Sequence, residues 1–118
     1  MYTVRLVKDL FEWKQNIEES LQKGDKRDII EYKLLNKAIE KLKWDFKSGQ
    51  ILTKKSYPSA YKEYSMRYAQ EVEIDKLWVL KISRDWRVIY TVVGNEVEII
   101  SFILDSMDHK KYEQKFNF

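Results

Sequence analysis

The sequence contains no cysteine, which excludes disulfides, thiolate metal sites and cysteine nucleophiles together. One histidine, His109, leaves no multi-histidine zinc or iron site to assemble. With three glycines and one proline among 118 residues, no glycine-rich phosphate cradle of the GxGxxG or Walker type is present. Long hydrophobic runs are missing as well. No segment reaches the length needed to cross a bilayer, and Met1–Val7 carries no signal-peptide apolar region. These absences lead us to expect a cytoplasmic chain with no membrane association, no metal and no cofactor. Its chemistry then has to come from lysine, arginine, tyrosine, carboxylates, one imidazole or the backbone.

What is present is 44% hydrophobic and 35% charged, the profile of a folded chain. We expect a single domain over residues 1–118, a length that buries about two-thirds of its unfolded surface without staples. Tyr2–Lys8 nearly alternates apolar and polar residues and predicts a first strand. Asp9 is a candidate N-cap, Leu10, Trp13, Ile17 and Leu21 fall at helical spacing, and Gly24 is a stop signal. A second helix follows from Asp25, with Leu35, Ala38, Ile39, Leu42 and Phe46 repeating at three- and four-residue steps until Gly49. Pro58 suits the first position of a short helix, along which Tyr57, Tyr61, Tyr64 and Tyr68 are spaced four, three and four apart. Such a stripe serves either as packing surface, its commoner use, or as a platform for stacking bases.

Leu77–Ile82, Trp86–Val93 and Glu96–Leu104 read as three strands, joined by Ser83-Arg84-Asp85 and by a two-residue Gly94-Asn95 hairpin. The tail from Asp105 is polar, with Phe116 and Phe118 available to tack it down. The expected fold class is α+β: an antiparallel sheet of the N-terminal strand and a C-terminal three-strand meander, packed against an N-terminal helical pair.

The net charge of +3 is modest but unevenly spread. Lys41, Lys43, Lys47, Lys54, Lys55, Lys62 and Arg67 face only Asp45 and Glu63 between positions 41 and 67. With Trp44 and several tyrosines interleaved, this stretch reads either as a solvated surface or as a nucleic-acid-facing one. The meander carries a sharper signal. Lys81 and Arg87 interrupt apolar strands and come close to each other if those strands pair across Ser83–Asp85. Two neighbouring cations make sense where an anion sits between them. The alternative is an Arg87 salt bridge to Asp85 or Glu98, with Lys81 at a sheet edge. Asp108-His109-Lys110-Lys111-Tyr112 follows the last strand and brings the only imidazole near the same surface.

The run Leu-Trp-Val-Leu-Lys-Ile-Ser-Arg-Asp-Trp-Arg-Val-Ile-Tyr at Leu77–Tyr90, then a hairpin and Asp-His-Lys-Lys-Tyr at Asp108–Tyr112, resembles the RelE branch of the RelE/ParE toxin superfamily. The similarity is specific over residues 77–116 and topological upstream, where the strand–helix–helix–meander order matches a RelE-like fold. The resemblance implies the toxin of a type II toxin–antitoxin system, a metal-independent endoribonuclease that cleaves mRNA in the ribosomal A site and inhibits translation. The partners it implies are a cognate antitoxin protein, mRNA and the ribosome.

Carried over by position, Arg87 would clamp the phosphate, and Lys81 would stabilise charge or shuttle a proton. Tyr112 would stack on a base or assist proton transfer; the family's tail arginine has no clear equivalent here, its place falling to His109 or Lys110, of which His109 is favoured as the acid or base. These four are the expected catalytic residues. Lys54, Lys55, Arg84, Lys110 and Lys111 are the expected RNA-binding residues. The first of the family's two strand lysines is replaced here by Val79. That departure keeps an alternative open: a non-nucleolytic member of the fold, either a ParE-like topoisomerase inhibitor or an RNA-binding module that does not cut.

Overall fold

The computed structural model describes residues 1–53, 58–95 and 97–116. Along the chain lie β1 (Thr3–Leu6), α1 (Lys8–Gln22), α2 (Ile29–Trp44), β2 (Gln50–Leu52) and α3 (Pro58–Arg67). They are followed by β3 (Leu77–Ser83), β4 (Trp86–Gly94), β5 (Ile99–Asp108) and α4 (His109–Phe116). The class is α+β, with five strands in the order β1-β5-β4-β3-β2. No helix among the described residues is long and apolar enough to cross a membrane.

The meander forms as its patterning predicts, with β3, β4 and β5 antiparallel neighbours. The sheet as a whole corrects the expectation, because it is mixed. β1 runs parallel to β5, from Thr3 opposite Ile100 to Leu6 opposite Ile103. A hairpin would force adjacent strands to be antiparallel, but a long connection through helices leaves the direction free. The second departure is β2, whose three residues extend the sheet beyond β3 and are too few to show a period.

Both sheet faces are covered. Leu35, Ala38 and Leu42 of α2 pack on Leu80, Ile82, Val88, Tyr90 and Ile103. On the other face, Tyr64, Tyr68, Tyr112 and Phe116 pack with Leu77, Ile89, Leu104 and Met107. Helices therefore flank the sheet on two sides, where only the N-terminal pair was expected. The tail forms α4, whose N-terminus is capped by Asp108: its Oδ1 accepts the Lys111 backbone N–H at 2.7 Å. Phe116 is fully buried, as the tacking role requires, while Phe118 lies outside the described residues.

The tyrosine stripe resolves toward packing. Tyr64 and Tyr68 are buried and their rings stack 6.3 Å apart, and Tyr61 donates its hydroxyl to the Ile74 carbonyl at 2.6 Å. No base can reach the two buried rings. Tyr57 lies outside the described residues.

Local polar groups set several element ends differently from the apolar pattern. Asp9 does not cap α1, since Val7 occupies that position. Its carboxylate instead takes Arg67 Nη2 at 2.7 Å and the Tyr68 hydroxyl at 3.1 Å, joining α1 to the end of α3. Helix α2 starts after Asp28 and ends at Trp44, short of Gly49. Asp45 stops it. The Asp45 Oδ1 accepts the Lys47 N–H, and its carbonyl accepts the Ser48 hydroxyl, replacing the helical ladder with a turn. The β4–β5 connection is longer than two residues, because Gly94 pairs with Ile99. Asn95 Oδ1 accepts the N–H groups of Val97 and Glu98, consuming donors that an earlier strand start would need. Gly94 has φ +147°, and a Cβ there would collide with the Glu98 carbonyl.

Candidate functional site

β2 covers the β3 edge only at Leu77–Val79. Beyond that point the sheet edge opens into a cleft of about 790 Å³. Its walls are the C-terminal turn of α2 (Glu40, Lys41, Trp44), the segment from Asp45 to Gln50, and Val79 to Lys81 of β3. Arg87 of β4 and Tyr112 of α4 close it. The turn segment is held by Tyr90, which accepts the Gly49 N–H at 3.0 Å and donates to the Phe46 carbonyl at 2.8 Å. Gly49 is required there: a Cβ would run into the Val79 carbonyl and the Tyr90 hydroxyl, 2.8 Å away. Burial raises the Tyr90 phenol to about 12, so it stays a neutral donor at physiological pH.

Lys81 and Arg87 are directly opposed in the β3–β4 register. Like charges directly opposed across a strand pair are unfavourable. Neither residue forms an ion pair among the described residues. The salt-bridge alternative does not hold. Asp85 accepts the His109 N–H through its backbone carbonyl, and Glu98 lies at the far end of the sheet near the Thr3 hydroxyl.

Arg87 is only 9% exposed, an unusual position for a guanidinium. One nitrogen anchors it: Nη1 donates to the carbonyls of Ser83, Arg84 and Trp86 at 3.0, 3.2 and 3.1 Å. The ring of Tyr112 lies 5.9 Å from its Cζ. Nε and Nη2 have no hydrogen-bond partner among the described residues, so two nitrogens carrying three N–H donors remain for a ligand in the cleft. The arrangement is a preorganised cation with spare, fork-shaped donors, suited to a phosphate or carboxylate. Lys81 and Lys41 add charge at the cleft, against Glu40 and Asp45.

Tyr112 is buried, and that burial raises its phenol above the ordinary value, opposed by the nearby Arg87 charge. A neutral phenol can donate a proton or hydrogen bond and is a poor base. Three of the four expected catalytic residues, Lys81, Arg87 and Tyr112, therefore meet at one cleft. His109 does not line it. Its ring stacks on Tyr112 at 6.3 Å between centroids, and Nε2 lies 2.6 Å from Glu113 Oε1, one helical turn on. Its Nδ1 is buried with no hydrogen-bond partner among the described residues.

Of the expected RNA-binding residues, Arg84 is exposed in the β3–β4 turn, and Lys110 and Lys111 are exposed on the first turn of α4. None of the three lines the cleft. Lys54 and Lys55 lie outside the described residues. Lys41 and Trp44 belong to the cleft although the sequence marked them only as part of a basic stretch. Helical spacing hinted at them: they are three apart at the end of α2, clear of the Leu35–Ala38–Leu42 packing face. Among the described residues, no three His, Asp or Glu side chains gather as a metal ion would need. Comparison with protein-family models, characterised proteins and solved structures gave no match to this chain.

Proposed function

We propose that this chain is a RelE-like toxin of a type II toxin–antitoxin system, acting as a metal-independent endoribonuclease on ribosome-bound mRNA. The observation that carries the reading is the opposed Lys81–Arg87 pair, without a carboxylate ion-pair partner among the described residues, on a cleft shared with Tyr112. The strand–helix–helix–meander order and the tail helix that delivers Tyr112 support it. In this reading the ribose 2′-oxygen forms a bond to the adjacent phosphorus and the P–O5′ bond breaks, leaving a 2′,3′-cyclic phosphate. The 2′-hydroxyl gives its proton to solvent water in the open cleft, and the departing 5′-oxygen gains one. Arg87 clamps the phosphate through its free donors, and Lys81 stabilises charge growing on the phosphorane oxygens. Tyr112, held neutral, donates toward the leaving oxygen. His109 acts through its contact with Tyr112. The protein works in the cytoplasm, and its antitoxin supplies an acidic or amphipathic segment that covers the cationic cleft.

A second reading, an RNA-binding module of the same fold that does not cut, draws on Val79 in place of a strand lysine and on the imidazole lying outside the cleft. Primer extension and end-group analysis on ribosome-bound mRNA after induction separate the two. Cleavage with 2′,3′-cyclic phosphate ends is expected. Intact mRNA that still binds the protein would replace the first reading by the second. Intact mRNA with lost topoisomerase activity would point to a ParE-like inhibitor.

A further inference from the structure

Four tryptophans occur in the chain, and three of them, Trp13, Trp78 and Trp86, are partly buried against the α2 side of the sheet. Trp44 differs. It is 67% exposed, ends α2, and stands in the wall of the cationic cleft. An indole left in water contributes little to folding, and this one is also held in place. Its Nε1 donates to Glu40 Oε1 at 3.1 Å, while the other oxygen of that carboxylate faces Lys43 Nζ at 3.8 Å. The bond occupies the polar edge of the ring and leaves the ring faces available.

The same cleft presents Lys41, Lys81 and Arg87. A fixed, open aromatic face beside cations is the combination that binds single-stranded nucleic acid: charge follows the phosphates, and a flat ring takes an unstacked base. Base-paired strands keep their bases stacked and offer no face to an isolated ring. The cleft volume of about 790 Å³ is within the range of sites that hold small ligands.

We propose that Trp44 is a nucleobase-stacking residue, so that the cleft takes an unpaired base on the indole while the adjoining phosphate sits at Lys81 and Arg87. This deepens the RNA reading given above and rests on it. Trp44 thereby selects single-stranded over duplex substrate and is a specificity residue, with no part in bond cleavage.

The test measures binding of a 2′-O-methyl hexanucleotide, which cannot be cut, to the whole chain by fluorescence anisotropy. The same oligomer with abasic positions and a duplex of the same sequence are run in parallel. Trp44→Ala is expected to weaken the single strand about tenfold. Trp44→Phe is expected to retain most of the affinity. The abasic oligomer is expected to bind wild type and Trp44→Ala equally. Intrinsic tryptophan fluorescence should be quenched by the base-bearing strand in wild type and much less in Trp44→Ala.

Equal affinity of wild type and Trp44→Ala for the single strand, with Arg87→Gln weakened, would overturn the stacking role and leave the RNA reading standing. A loss in Trp44→Ala that is as large on the abasic oligomer would also overturn it, since the indole would then be structural. Failure of wild type to bind any oligomer would remove both. Failure to bind any oligomer together with a shielded Trp44 in a complex with another protein would reassign the face to a protein partner.

Discussion

Two clusters of charge and tyrosine sit on the α3–α4 side of the sheet, and they are organised in opposite ways. In the first, Asp105 accepts the Tyr64 hydroxyl at 2.7 Å and faces Lys115 Nζ at 3.6 Å. Lys115 also meets Glu63 at 2.8 Å and lies 4.6 Å from the centre of the Tyr64 ring. Every charge there has an opposite, and the network ties α3, α4 and β5 into one body. In the second, Lys81 and Arg87 oppose each other beside Tyr112, with no carboxylate partner among the described residues. A closed network of this kind orients elements and has no capacity left for a ligand. An open pair of cations stores repulsion that an arriving anion relieves. The same residue types thus form a closed network in one place and an open pair in the other, and what separates them is whether the charges are already satisfied.

The largest expected effect falls on the open cluster. On the proposed reading, Arg87→Gln should lower mRNA cleavage by about 10²-fold or more, the scale of losing a preorganised donor to a developing oxyanion, and should relieve growth arrest. Circular dichroism should show the fold retained, and the salt slope of single-strand binding should fall by about 0.7 for one lost phosphate contact. Asp105→Asn should do the reverse. Removing the charge that Tyr64 and Lys115 share should cost about 2 kcal/mol of stability in urea denaturation, with RNA affinity within about twofold of wild type. Comparable loss of RNA affinity in the two variants would erase the distinction between the clusters.

A smaller effect separates the cleft wall from the cleft itself. Burial raises Tyr90 from 10 to about 12, so the unfolded chain gives up this proton first as pH rises. Its contribution is intact below pH 10 and is lost progressively from 10 to about 12. Tyr90→Phe should flatten alkaline unfolding over that window. It should also cost about 1 kcal/mol at neutral pH through the bonds to Phe46 and Gly49. The smallest effect is expected from His109→Ala. Because its ring stacks behind Tyr112 and Nε2 faces Glu113, single-strand affinity should change by about twofold or less, with cleavage reduced less than in Arg87→Gln. Cleavage abolished at unchanged affinity would promote His109 to direct acid–base chemistry.

How far the site could be read in advance differs from residue to residue. Lys81 and Arg87 were expected to be neighbours from two short strands and a tight turn, and they are cross-strand partners. That inference used only local geometry, since a period of two and a short connection fix the pairing. Tyr112 and His109 were expected near the same surface, but the direction in which each points depends on α4. Asp108 at its start and the Tyr112–Phe116 spacing carried a helical signal, and His109–Glu113 at the same spacing would have foretold their contact. The tyrosines of α3 show the opposite limit. Their spacing placed them on one face, yet whether that face met solvent or the sheet was a matter of what folded onto it.

The first strand, the helical pair, the short α3, the β3–β5 meander, the α+β class and the adjacency of Lys81 to Arg87 follow from sequence alone, because periodicity and turn chemistry act over a few residues. Only the tertiary structure decided the parallel placement of β1, the β2 edge, the burial of Tyr64 and Tyr68, and the exposure of Trp44 at a cleft. Each of these depends on contacts between segments far apart in the chain. Their energies come from burial and charge pairing across that distance, and no local pattern encodes them.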